Sequence, residues 1–258
     1  MVLGFIAPIS RVQHGLVTRS QLEHELSRRQ IERLLDGGRL ELILRGVYRV
    51  GGAPETYEQR VLAACLASGP AAYASFRCAA ALWGLDGFAS APIEVTVPRV
   101  RRARIPGVTI HQSTILDVVR SERSIPVASV ARTLCDLTAV VPAWRVERSV
   151  DEALRRGLME LGEIRAVFDD LEGRGRRRCT VMRDILEWRE PGYHPGESAP
   201  EARIVKLLVQ AGLPRPVQQH PVPLGNRTVR IDLAYPEQRI AIEYDGWEFH
   251  STRGAFDH

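Results

Sequence analysis

The hydrophobic pattern of GLVTRSQLEHELSRRQIERLLDGGRLELILRGVYRVGG, residues 15–52, changes period twice. Thr18 can cap a helix carrying Leu22 and Leu26. Ser27 can cap a second, in which Ile31, Leu34 and Leu35 form one apolar face at helical spacing. Gly37 and Gly38 stop that helix. RLELILRGVYRV comes next, rich in β-branched and aromatic residues, with Arg45-Gly46 as a turn, and predicts a hairpin.

Helix, tight turn, helix, β-hairpin is the order of a winged helix-turn-helix. That order would present Arg28, Arg29, Gln30 and Arg33 from the polar face of the second helix to a DNA major groove, where Arg and Gln suit base edges and phosphates. Arg45 and Arg49 would lie on the wing, near the DNA backbone. A solvated helix in a small packing domain is the alternative, and winged folds also bind proteins.

From Tyr57 the chain turns alanine-rich, and YEQRVLAACLASGPAAYASFRCAAALWGL predicts two helices broken at Gly69-Pro70, with Cys78, Leu82 and Leu85 in a core. PIEVTVP (92–98) and GVTIHQS (107–113) alternate as strands do. Between them RVRRARIP is a basic loop at the sheet edge. Its Arg99, Arg101, Arg102 and Arg104 fit a phosphate contact or a solvated hairpin tip equally well. Later segments, ASVARTLCDLTAVV and AWRVERSVDEALRRGLMELGEIRAVFDDL, read as helices, so residues 53–171 form a compact α/β domain. His111 has no second histidine or cysteine at ligand spacing and reads as structural. Asp136 and Asp151 read as ion pairs or caps.

EGRGRRRCT opens a basic linker over 172–196, with a short helix through Met182, Ile185 and Leu186 and then a proline- and glycine-broken loop. The last domain, 197–258, begins with SAPEARIVKLLVQAGL. There Ser198 is a candidate N-cap, Pro200 lies in the first turn and Glu201 can reach back to the cap. Ile204, Leu207, Leu208 and Ala211 would be buried, and Gly212 ends the helix.

RIDLAYPEQRIAIEYDGWEFH (230–250) then gives two strands interrupted by acids. A four-residue turn over Pro236 to Arg239 pairs Tyr235 with Ile240. Asp232 then faces Glu243 across an antiparallel ladder, and Asp245 lies opposite Arg230. Facing carboxylates repel and destabilise a ladder, with Cβ atoms roughly 5 Å apart. A divalent cation removes that repulsion, and hard oxygen ligands suit Mg²⁺ or Mn²⁺. The alternative is an electrostatically stabilised hairpin with Asp232 paired to Arg230 or Arg239.

Composition changes this picture in two places. Of 35 basic residues Lys206 is the only lysine, and the net charge of +4 mildly favours a polyanionic partner. The four cysteines match no metal spacing or disulfide framework and read as reduced thiols. No apolar run reaches the roughly 18 residues of a membrane span, and no basic residues precede the apolar opening MVLGFIAPIS. A cytoplasmic protein without membrane association is expected.

Two resemblances sharpen these readings. GLVTRSQL…LSRRQIERLL…GRL…RGVYRV, over about the first fifty residues, resembles the AbiEi-type antitoxin N-terminal domain, a winged helix. It implies DNA binding, transcriptional autoregulation and a cognate toxin protein as partner. The middle segment resembles the stretch after that domain in related chains. IEYDGWEFH and its surroundings resemble the restriction-endonuclease-like PD-(D/E)XK group, more narrowly a domain family related to very-short-patch-repair (Vsr) endonucleases. That resemblance implies Glu201 as the helix acid and Asp232 and Glu243 as metal ligands. Asp245 would be a third acid and His250 an acid/base or phosphate contact. Two features depart from the pattern: Asp245 replaces the usual lysine, and relatives continue past the equivalent of STRGAFDH with a further helix and strand. The expectation is an α+β multidomain chain: a winged helix-turn-helix (1–52), a middle α/β domain, the linker, and a partial, C-terminally truncated restriction-endonuclease-like domain. Its implied function is metal-dependent DNA hydrolysis. The alternative is a non-catalytic DNA-binding regulator or antitoxin with a degenerate nuclease fold.

Overall fold

The computed structural model describes residues 4–89, 91–101, 104–114, 119–173, 180–187, 189, 199–225 and 227–244. These form a mixed α/β protein with three separate sheets.

The first unit is built as its caps dictate. Helix α1 (Ile6–Val12) precedes β1 (Leu16–Thr18) and α2 (Arg19–Glu23). Thr18 caps α2 in a reciprocal box: its hydroxyl accepts from Gln21 N–H at 3.2 Å and its own N–H donates to Gln21 Oε1 at 2.8 Å. Ser27 repeats the device for α3 (Arg28–Asp36), donating its N–H to Gln30 Oε1 at 2.8 Å. Gly38, at φ 66, turns the chain out of α3 into β2 (Leu40–Leu44) and β3 (Val47–Val50). Gly46, at φ 76, makes the hairpin turn. The three strands pair in the order β1-β3-β2, all antiparallel. Ile6, Val17, Leu22, Leu26, Ile31, Leu34, Leu40 and Tyr48 fill the core between helices and sheet.

The middle unit holds a five-stranded sheet, order β6-β5-β4-β8-β7. Its elements are α4 (Tyr57–Ser68), β4 (Tyr73–Ala74), α5 (Phe76–Leu82), β5 (Ile93–Pro98), β6 (Val108–Ser113), β7 (Val119–Glu122) and β8 (Ile125–Ala128). Helices α6 (Val130–Leu137), α7 (Ala143–Arg155) and α8 (Leu161–Gly173) come after them. The expected strands at 92–98 and 107–113 are present, but β5 and β6 run parallel, so the basic loop between them is a crossover and not a hairpin tip. Leu16 and Val47 of the first unit pack into the same core as Val61, Tyr73, Cys78, Val95 and Val127, so the two units share buried surface. At that junction His14 Nε2 meets Arg123 O at 2.7 Å and Gln59 Nε2 donates to His14 O at 2.7 Å.

Several buried polar groups in this core are matched, while the Tyr57 and Ser68 hydroxyls have no hydrogen-bond partner among the described residues. Glu94 is fully buried and accepts from Arg77 N–H at 2.9 Å, Arg77 Nε and Nη2 at 3.0 Å, and lies 3.2 Å from His111 Nε2. Burial alone would raise the Glu94 carboxyl; the hydrogen bonds from His111 and Arg77 outweigh it and hold it below the ordinary range. His111 also stacks on Phe76 with ring centres 3.7 Å apart, which makes it the structural histidine the sequence suggests. Arg132 and Asp136 form a buried pair at 2.9 Å. Cys65, Cys78 and Cys135 are buried free thiols; Cys179 lies outside the described residues.

Helix α9 (Thr180–Glu187), read from sequence as part of a linker, packs Met182, Ile185 and Leu186 into the core formed by α6, α7 and α8. Just beyond it Arg189 makes a two-point contact with Asp151 of α7, at 2.9 and 2.8 Å, in a buried setting. The segment therefore belongs energetically to the middle unit.

The last unit comprises α10 (Ala199–Gln210), β9 (Val217–Leu224), β10 (Arg227–Tyr235) and β11 (Ile240–Ile242), with sheet order β11-β10-β9. The buried side of α10 is rotated from the apolar face expected. Glu201 and Val205 are buried, while Leu207 is 56% exposed and Ala211 exposed. An acid at i with an apolar partner at i+4 faces inward because the acid has hydrogen-bond partners there. No helix among the described residues is long and apolar enough to cross a membrane.

Candidate functional site

The β10–β11 register is the one the turn length predicts. Tyr235 lies opposite Ile240, Ala234 opposite Ala241 and Leu233 opposite Ile242. Arg239, at φ 55, closes the turn with its N–H donating to Pro236 O at 3.2 Å. Continuing the register by one step brings Asp232 opposite Glu243, just past the last residue of β11. The ladder gives way there to a side-chain contact: Tyr244 N–H donates to Asp232 Oδ2 at 3.0 Å.

Three acids lie near this corner. Asp232 comes from the central strand, Glu243 from the exit of β11 and Glu201 from the first turn of α10. Gln219 of β9 joins two of them, its Nε2 lying 3.2 Å from Glu201 Oε2 and 3.5 Å from Asp232 Oδ1. The Glu243 carboxyl is raised above the usual range, by lost hydration and by the Asp232 carboxylate, with a smaller push from Glu201. Glu243 is exposed overall, so the neighbouring acid is the more telling cause. Among the described residues Asp232 has no ion pair to Arg230 or Arg239. Its charge is met by an amide and a backbone N–H.

Neighbouring carboxylates are the donor type that a hard cation such as Mg²⁺ takes, with water completing its coordination. The corner is not a closed cage: among the described residues no three or more His, Cys, Asp or Glu side chains form a group that could hold a metal ion. Asp245 and His250 lie outside the described residues, as does the Ser198 cap. Lys206 is not turned to the acids. Five residues beyond Glu201, it points about 140° away around the helix, and its Nζ lies 3.1 Å from Glu147 Oε1 on α7.

Sequence reasoning missed Gln219. Strand β9 carries Pro221 and Pro223, which argue against a strand, yet it is an edge strand where proline is tolerated. VQQHPVPL shows no alternation of apolar and polar residues, so the sequence offered little signal for this strand.

The candidate DNA contacts of the first unit divide into two groups. Arg29, Arg33 and Arg45 are exposed, and Arg28 is exposed while engaging Glu32 at 2.9 Å within the helix. Gln30 and Arg49 are committed elsewhere. The Gln30 carbonyl oxygen caps α3. Arg49 reaches Glu41 at 2.7 Å and Glu55 at 3.4 Å, with only 17% of its side chain exposed.

No family model matches the chain. It is similar to two proteins of Mycobacterium tuberculosis, uncharacterized protein MT2308 of strain CDC 1551 / Oshkosh and uncharacterized protein Rv2248 of strain ATCC 25618 / H37Rv. Each is 29% identical over 227 residues, covering 88% of this chain and 81% of its own length. Among solved structures, the RV2827C protein from Mycobacterium tuberculosis gives a TM-score of 0.47 at 15% identity, over 86% of this chain and 88% of that one.

Proposed function

We propose that this chain is a DNA-binding protein with a metal-dependent endonuclease site in its last unit. The observation that carries the reading is the β10–β11 register, which leads Asp232 and Glu243 to one corner beside Glu201. Two adjacent carboxylates with a mutual repulsion are a poor structural device and a good cation site. A bound Mg²⁺ or Mn²⁺ would lower the pKa of a water and neutralise charge developing on a phosphodiester. The chain's own part is to hold Asp232 and Glu243 as ligands and to keep Glu201 near them through Gln219. Asp245 and His250 keep the roles their resemblance to Vsr-like nucleases implies, a third acid and an acid/base or phosphate contact.

The first unit, read as a winged helix, would deliver DNA. Arg28, Arg29 and Arg33 on α3 and Arg45 on the hairpin turn are the contacts we assign. Gln30 and Arg49 support that surface from within. A specific observation favours a second reading, in which the protein is a non-catalytic DNA-binding regulator of the antitoxin kind with a toxin protein as partner. Lys206, the only lysine in the sequence, is engaged by Glu147 of α7 at 3.1 Å, and Asp245 stands where that nuclease pattern has its lysine.

Supercoiled plasmid incubated with the protein and Mg²⁺ or Mn²⁺ separates the two. Nicking by wild type that is lost in Asp232→Ala and Glu243→Ala is the expected result. Equal nicking by all three rejects the site. A salt-sensitive shift of duplex DNA without nicking selects the regulator.

A further inference from the structure

We infer that Gln219 is a positioning residue that ties the helix acid Glu201 to the strand acid Asp232 and thereby sets the spacing of the carboxylates. The last step, from spacing to cation affinity, rests on the metal-site reading proposed above; the tie itself does not.

Three observations carry this. In the β9–β10 ladder His220 pairs with Ile231 and Gln218 with Leu233, so the register on either side carries Gln219 opposite Asp232, where the ladder pairing itself is interrupted. Its amide nitrogen has two hydrogens, and two acceptors are within reach: Glu201 Oε2 at 3.2 Å and Asp232 Oδ1 at 3.5 Å. Gln219 also holds φ 50, a left-handed conformation disfavoured for a residue with a side chain, in the middle of a strand. Such a conformation persists where the surroundings over-determine it. Here the amide, hydrogen-bonded to Glu201 and at the outer limit of reach for Asp232, is one such constraint.

The neighbouring residue gives the contrast. Gln218 has the same side chain, yet its Nε2 is buried with no partner among the described residues. Of two consecutive glutamines, the one in the strained conformation is the one that reaches the acids. The choice of residue is also chemically apt. An amide donates to a carboxylate without adding charge, so it brings Glu201 and Asp232 together while leaving the local charge negative for a cation. An apolar side chain would take a donor from Glu201, which is only 4% exposed.

The test is a double-mutant cycle on the metal-free full chain, using Gln219→Leu, Glu201→Met and both together, read by urea unfolding. A charge-assisted hydrogen bond gives non-additivity of about tenfold in the unfolding constant. Additive effects overturn the inference. Should Gln219→Leu fail to fold, Gln219→Asn replaces it in the cycle, with the same criterion.

Mn²⁺ titration by calorimetry supplies the second arm. Gln219→Leu is expected to weaken binding by about tenfold with unchanged circular dichroism, while Gln218→Leu leaves it unchanged. Equal weakening by both variants would trace the effect to the folding of β9 and refute the positioning role. Coupling in the cycle with no Mn²⁺ binding by wild type would reject the metal reading and leave the Glu201–Gln219 tie standing.

Discussion

Removing the Asp151 carboxylate strands a buried guanidinium. Arg189 is 2% exposed, and its Nε and Nη2 donate to the two Asp151 oxygens at 2.9 and 2.8 Å. In Asp151→Ala the remaining partners include Ile185 O at 2.7 Å and Glu147 at 3.8 Å, neither of which replaces a two-point carboxylate. Breaking one side of a buried pair costs about 3–5 kcal/mol, because the surviving charge stays desolvated. For a body of this size each kcal/mol moves the melting point by about 2–4 °C, so a drop of about 6–20 °C is expected. Thermal and urea unfolding followed by circular dichroism measure it. Asp151→Leu with Arg189→Met removes both charges and should recover most of the loss. The Asp151→Ala variant is also expected to speed hydrogen exchange in α10, since Glu147 holds Lys206 of that helix at 3.1 Å. A loss below about 1 kcal/mol, the size typical of an exposed pair, would refute the reasoning.

Charges elsewhere give two further outcomes. The folded-state Glu94 carboxyl sits below its ordinary range, so its contribution to stability is complete above that range and is lost as pH falls through the lower, folded value. Glu94→Gln should flatten this part of the acid unfolding profile while destabilising the protein at neutral pH; an unchanged acid profile would contradict the network at His111 and Arg77. For DNA, alanine at Arg29, Arg33 or Arg45 is expected to weaken duplex binding and reduce the salt slope by about 0.9 for each phosphate no longer neutralised. Arg49→Ala, already engaged by Glu41 and Glu55, should change the slope little. Equal slopes for all four would move the interface off this face.

Local chemistry made much of the fold legible. Thr18 and Ser27 announced their helices because a side-chain oxygen beside a first turn has few other uses, and Gly46 marked the hairpin because its φ is positive. The four-residue turn after Tyr235 fixed the β10–β11 register, and with it the meeting of Asp232 and Glu243. What escaped depended on tertiary context or on unusual turn chemistry. The β7–β8 hairpin turns on Arg123 and Ser124, both at positive φ (50 and 63), where Asn-Gly or Asp-Gly is the usual signal. The parallel β5–β6 pair cannot be told from an antiparallel one by alternation alone. Helix α9 was legible as a short helix through Met182, Ile185 and Leu186, but not its docking, because the surrounding composition is basic and glycine-rich while those three residues complete the middle core. The turned face of α10 reflects a buried acid whose partner, Gln219, lies 18 residues away in the chain.

The most direct measurement of the central claim is a calorimetric titration of Mn²⁺ into wild type, Asp232→Ala and Glu243→Ala. One ion per chain, lost when either acid is removed, is the expected result. Binding that survives both substitutions, or no binding by the wild type, would contradict the account.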